Sequence, residues 1–146
     1  MSLVSRLQLL GLIVVGNLVV ADSAWANPAC GDTLDVDTTL TADLDCTALT
    51  AGPALTLGTD NITLGGAGFA VIAPLVVAVK GVDLSGVTIT NLKITTSTND
   101  SDGVDVYGTN LEVTKVNVTG RQNGLRLAGA GLSVGDCSSE FNLRGL

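Results

Sequence analysis

The C-terminal half of the chain repeats itself at a fixed step. DGVDVYGTNLEVTKVNVTG (102–120) lines up with NGLRLAGAGLSVGDCSSEF (123–141), and RGL (144–146) opens a further copy. Gly103, Gly124 and Gly145 stand 21 residues apart, as do Val104, Leu125 and Leu146. Gly108 and Gly129 keep the same step. Upstream, VAVKGVDLSGVTITNLKI (77–94) fits if three residues are inserted near 82–86. Val77 then matches Val104, Val87 matches Leu111 and Ile89 matches Val113. LTLGTDNITL (55–64) reads as one more, degenerate unit. A fixed period of this length marks stacked units, each able to bury its apolar face only against its neighbours.

Within each unit the alternation of apolar residues slips by one. Val87 and Ile89 give way to Leu92 and Ile94 across Thr90-Asn91. Leu111 and Val113 give way to Val116 and Val118 across Thr114-Lys115, and Leu132 and Val134 to Cys137 and Ser139 across Gly135-Asp136. A flat strand keeps strict period 2. A recurrent slip means that the chain turns a corner and keeps its apolar side chains pointing inward. Short strands joined by such corners form a coil, and stacked coils form a parallel β-helix. Val, Ile, Leu and Thr fill the strands, and Gly and Asn mark the corners, where left-handed backbone is needed. After residue 26 no amphipathic helical period holds over a dozen residues. FAVIAPLVVAV (69–79) is broken by Pro74 and reads as strand, turn, strand.

The 21-residue register also pairs outward positions. Asp100 falls over Arg121, Asp105 over Arg126 and Lys115 over Asp136, while Asp102 faces Asn123 and Glu112 faces Ser133. Neighbours in adjacent coils lie about 4.8 Å apart, a spacing at which like charges repel. Asp102 is then the one carboxylate of NDSDGVDV (99–106) without a cation in the next coil.

The first 26 residues read as a signal peptide. Arg6 precedes an apolar run from Leu7 to Val20, and Ala24-Trp25-Ala26 gives an A-x-A cleavage pattern. The run is shorter than the roughly 20 residues of a spanning helix, so no membrane insertion is expected after cleavage. Cleavage leaves 120 residues, enough for one small domain. It removes Arg6 and Asp22, leaving 6 basic and 13 acidic residues and the net charge of −7. Residues 27–79 carry six aspartates and no Lys or Arg, an acidity read as serving solubility. Nucleic acid is excluded as a partner, since it requires a basic face. Cys30 and Cys46 bracket a short segment, and export permits a disulfide between them, contributing about 3 kcal/mol. Zinc is the weaker reading, because the chain has no His and no C-x-x-C. Cys137 shares the inward parity of Val116 and Leu92 and is expected to be buried.

CGDTL…LTADLDC (30–46), ALTLGTDNITLGGAG (54–68) and SGVTITNLKI (85–94), together with the 21-residue coils, resemble the secreted right-handed parallel β-helix proteins of the pectate-lyase-like superfamily. The resemblance implies an all-β, right-handed parallel β-helix. It divides the chain into a signal peptide (1–26), an N-terminal cap tied by Cys30 and Cys46 (27–53) and about four coils (54–146). The stack is expected to be incomplete, its open end pairing with further coils or another subunit. The chain departs from the family at Gly65-Gly66-Ala67-Gly68-Phe69, where a polar D-G-N-G-H-type turn is usual. This stretch also begins like a calcium-binding G-G-x-G-x-D repeat, but Ala70 replaces the aspartate.

The scaffold hosts unrelated functions, so activity must be argued from side chains. Asn99-Asp100-Ser101-Asp102-Gly103 loosely resembles the N-T-D-G segment of polygalacturonase-like glycosidases. Inverting hydrolysis needs a second carboxylate about 6.5–9.5 Å away, and the next coil offers Gln122 and Asn123 instead. A lyase would need carboxylates for calcium and a basic residue to take a proton; Arg121 and Arg126 lie one coil away. Asp100, Asp102 and Asp105 are the candidate ligands for calcium, and Tyr107, outward beside Asp105, is a candidate sugar contact. The competing reading makes Asp102-Gly103 a turn and gives Asp100 and Asp105 ladder ion pairs worth about 0–1 kcal/mol each. The expectation is an exported protein, secreted, periplasmic or at the cell surface. It presents a β-face to polysaccharide or to a cell-surface component, without catalysis in this segment. The alternative is the N-terminal part of a polysaccharide lyase or glycoside hydrolase.

Overall fold

The computed structural model describes residues 26–95, 101–120 and 123–140. The signal-peptide reading therefore falls almost wholly outside the described residues, as do Asp100, Arg121, Gln122, Gly145 and Leu146. The described chain is a parallel β-solenoid, with no helix among its residues. The first rung holds β1 (Asp32–Leu34), β2 (Thr38–Thr39) and β3 (Leu44–Asp45). The second holds β4 (Leu55–Leu57), β5 (Thr63–Gly65) and β6 (Ala70–Ile72), and the third β7 (Val79–Ser85), β8 (Thr88–Thr90) and β9 (Lys93–Thr95). The fourth holds β10 (Val104–Thr109), β11 (Glu112–Thr114) and β12 (Asn117–Thr119), and the fifth β13 (Leu125–Ala128), β14 (Ser133–Gly135) and β15 (Ser138–Glu140). Every third strand stacks, giving sheet A (β1-β4-β7-β10-β13), sheet B (β2-β5-β8-β11-β14) and sheet C (β3-β6-β9-β12-β15). Four rungs thus come from residues 54–146, and the segment read as a cap supplies a short rung beneath them. The Cys30–Cys46 disulfide closes that segment, with S–S 2.00 Å and Cα–Cα 5.5 Å. Residues 69–79 form strand, turn and strand.

The corners explain the slips in parity. Asn91, Lys115 and Asp136 all have left-handed backbone, with φ of 51°, 55° and 52°. Two of them donate their amides to the next rung: Asn91 N–H bonds the Thr114 carbonyl and Lys115 N–H that of Gly135. A second corner column alternates Asn61, Gly86, Asn110 and Gly131, all with positive φ. The alternation is steric. A Cβ on Gly86 would lie 2.4 Å from Asn61 Oδ1, and one on Gly131 would lie 2.5 Å from Asn110 Oδ1. Each asparagine side chain fills the room that its glycine neighbour leaves.

The register corrects the upstream alignment. Val104 pairs with Val79, not Val77, although Val113 pairs with Ile89 as expected. Thr95 pairs with Thr119, 24 residues on, and Thr119 with Glu140, 21 on, so three residues beyond the 21-residue step lie between Thr95 and Val104, apart from the insertion expected near 82–86. Only one extra residue sits within β7, as a bulge where Val106 pairs with Gly81 but Gly108 with Leu84. A connection absorbs insertions outside the ladder, whereas a strand absorbs them only as a bulge.

Inside, side chains stack in columns. Leu44, Val71, Ile94 and Val118 form one column on sheet C, and Leu64, Ile89 and Val113 form one on sheet B. Most are fully buried. Gly81 leaves a gap that Leu84 fills, since a Cβ there would meet Leu84 Cδ1 at 3.0 Å. Within these inward columns, burial fails at the last described rung. Leu132 and Val134 are 41% and 45% exposed, whereas Leu111 and Val113 below them are 1% exposed. With Leu125 and Leu127 they line a cavity of 280 Å³. Cys137 stacks above Val116 but is only partly buried, because it too belongs to that rung. Its thiol faces the carbonyls of Gly135 and Val113 at 3.3 and 3.5 Å.

The acidity of residues 27–79 has structural uses beyond solubility. Asp37, Asp43 and Asp60 each accept the amide of a residue one rung up: Thr63 (2.7 Å), Ala70 (2.8 Å) and Ser85 (2.8 Å). Asp32 and Asp45 accept the nearby amides of Ala29 and Thr47. These carboxylates satisfy backbone donors that the short strands leave unpaired.

Candidate functional site

Outward residues of sheet A form a column of Thr33, Thr56, Lys80, Asp105 and Arg126. Asp105 is thus flanked by cations above and below, where the 21-residue step revealed Arg126 alone. Asp105 is nevertheless 8% exposed, and its Oδ1 is buried without a hydrogen-bond donor among the described residues. Arg126 Nε lies 3.9 Å from that oxygen. At this distance it supplies charge but no hydrogen bond.

Asp102 precedes the strand on the same face and is also 8% exposed. Asn123, its partner in the next rung, donates its side-chain amide to Asp102 Oδ1. Asp102 does have a cation in the next coil: Arg126 Nη1 lies 3.7 Å from its Oδ2. The rungs meet closely here, since a Cβ on Gly103 would lie 2.5 Å from the Gly124 carbonyl and from Val118 Cγ1. That closeness tucks both carboxylates under the next rung. The turn-and-ladder reading therefore holds for the Asp102–Asn123 contact. The Asp100–Arg121 pair lies outside the described residues.

Tyr107 completes the cluster. It lies outward on β10, half-buried, and the Arg126 guanidinium stands 5.6 Å from its ring centroid. Desolvation raises the phenol above its usual value, and the Asp105 carboxylate raises it further. Arg126 therefore bridges three groups without a short bond to any, and its side chain is 58% exposed. Of the three candidate calcium ligands, Asp102 and Asp105 are among the described residues and Asp100 is not. No three His, Cys, Asp or Glu residues converge among the described residues, and a metal ion between Asp102 and Asp105 would meet the guanidinium's like charge. Lys115 and Asp136 share a corner column and stand far from this face.

A groove of 530 Å³ adjoins the cluster. Asp60, Asp83, Ser85, Gly108, Thr109, Ala128 and Gly129 contribute to its walls, and Ala128 is the register partner of Tyr107. The β7 bulge shapes this groove. Asp83 takes φ 57° there and turns outward, while Ser85 and Thr109 hydroxyls bond at 3.0 Å. Spacing arguments missed the groove because one wall, Asp83 to Ser85, comes from a bulged strand that breaks the register of its neighbour. The signals available in the sequence were the extra residue in VKGVDLS and the Gly108–Gly129 pair.

No family model, no curated protein and no solved structure matches the chain.

Proposed function

We propose that this is an exported, non-catalytic β-solenoid that binds polysaccharide along sheet A. The carrying observation is that two groove residues flank Tyr107: Gly108 next along the strand and Ala128 in the next rung. An aromatic ring offers a stacking surface for a sugar face, and Asp83, Ser85 and Thr109 on strands, with Asp60 in the turn before β5, offer polar groups. Export rests on the leader pattern of residues 1–26, and the Cys30–Cys46 disulfide is compatible with an oxidising compartment. The likeness to the pectate-lyase-like β-helices supports the carbohydrate reading at the level of scaffold alone.

The test is native affinity electrophoresis in gels containing neutral, uronic or amino polysaccharides. Retardation by at least one polymer, reduced by Tyr107→Ala, is expected. Unchanged mobility in all of them refutes the reading. The second reading, the N-terminal part of a lyase or hydrolase, draws on Asp102 and Asp105 sharing one face. It requires release of reducing ends or unsaturated products from the same polymers.

A further inference from the structure

Arg126 occupies a seat built for a cation. The floor is the Tyr107 ring, 5.6 Å from the guanidinium. The walls are Asp102 and Asp105, whose side chains are 11% exposed. The occupant is held loosely, at 3.7 and 3.9 Å, both beyond hydrogen-bond length, on a side chain 58% exposed. Meanwhile Asp105 Oδ1 is buried and lacks a donor among the described residues, although the Asp105 carboxylate as a whole has the Tyr107 hydroxyl beside it. A buried carboxylate oxygen without a donor retains an unmet demand. Arg126 supplies the charge of a ligand without its hydrogen bonds.

From this we infer that the polysaccharide recognised is one bearing free primary amines, a polymer of hexosamine type. Its ammonium displaces Arg126, donates to Asp105 and Asp102, and lies over Tyr107. This rests on the polysaccharide reading above and names the ligand class. An ammonium has three donors and needs few acceptors, which two carboxylates supply. A calcium ion needs six to eight oxygens, which they do not. The groove continues the pattern, since Asp60 and Asp83 add carboxylates beside the hydroxyls of Ser85 and Thr109. A net charge of −7 draws a polycation to the surface before any specific contact forms.

The full chain is tested against immobilised poly-glucosamine, its N-acetylated form, a polyuronate and polylysine. Binding to poly-glucosamine, and weaker binding to the other three, is expected. Tyr107→Ala and Asp105→Asn each weaken it by about tenfold, with thermal unfolding confirming that both remain folded and Tyr107→Phe retaining the affinity. Arg126→Ala, which removes the tethered competitor, tightens binding more than Lys93→Ala, which removes an exposed cation on sheet C. Equal tightening by the two variants, or polylysine binding as well as the amino sugar, means general acidity and overturns the inference. Preference for the N-acetylated or uronic polymer also overturns it and leaves the polysaccharide face standing. No binding to any sugar sinks both.

Discussion

Replacing Gly108 by alanine separates steric closeness from backbone strain. Gly108 lies above the β7 bulge, and its Cβ would fall 1.8 Å from the Leu84 carbonyl oxygen and 2.8 Å from the carbonyl carbon. Its neighbours are backbone atoms, so no side chain can swing away. Reaching even 3.0 Å requires the rungs to part by roughly 1.2 Å, against a spacing near 4.8 Å. Hydrogen bonds of about 2.9 Å do not survive such a displacement. The pairs at risk are Gly108–Leu84 and Thr109–Ser85. Each lost bond costs about 0.5–1.5 kcal/mol, and buried groups left unpaired cost about 1–3 kcal/mol more. The expected loss is about 3–5 kcal/mol, a large share of the roughly 5–15 kcal/mol that holds a domain together.

Gly68→Ala is the control. Gly68 has φ +86° and nothing within 4 Å of its Cβ position. That substitution costs backbone strain alone, about 1–2 kcal/mol. Urea unfolding of both variants measures the difference, with the slope confirming an unchanged unfolding transition. Equal midpoints at equal slope would refute the steric account of the bulge. Because Gly108 also lines the groove, Gly108→Ala should in addition weaken polysaccharide retardation.

Val113→Ala should cost about 2 kcal/mol and Val134→Ala under about 1 kcal/mol, because only the first is buried; equal losses in urea unfolding would show that something covers the last rung in solution. Cys30→Ser with Cys46→Ser should lower stability by about 3 kcal/mol, read from the urea midpoint. The Thr47 amide and hydroxyl hold the Asp45 carboxyl below its ordinary value of 3.8. Its contribution is therefore complete above that value and is lost as pH falls through the lower folded value. Asp45→Asn should flatten the thermal midpoint against pH in that acidic window. Tyr107 is the single tyrosine, so ultraviolet titration should place its phenol above 10, and Asp105→Asn should bring it down.

The solenoid was legible because its evidence is periodic. The slips at Asn91, Lys115 and Asp136 show that a corner can be located without knowing its φ, since inward parity must resume after it. The Cys30–Cys46 bridge was legible for a different reason, namely that two cysteines bracketing a short loop have few other partners in a chain with three cysteines. The insertion near 82–86, three residues expected and one found, shows where periodicity ends. Matching Val77 to Val104 preserved apolar identity, but so did matching Val79, and a run such as VVAVKGV offers several equivalent registers. Hydrogen bonding selects one of them, and the sequence carries little trace of that choice.

The site was half legible, and the missing half follows from side-chain length. A step of 21 pairs positions directly above one another, and so it joined Asp105 to Arg126 and Asp102 to Asn123. Arg126 also reaches Asp102, three residues before Asp105. Diagonal neighbours in a sheet lie within reach of long side chains, and arginine is long enough to serve two carboxylates and a ring at once. Its loose hold on all three follows from the same fact, because a group centred among three partners sits close to none. A column-by-column reading can therefore find ion pairs, but it cannot distinguish a firm pair from a shared and displaceable one. That distinction depends on the diagonal geometry, and it separates a surface ladder from a seat that another cation can take.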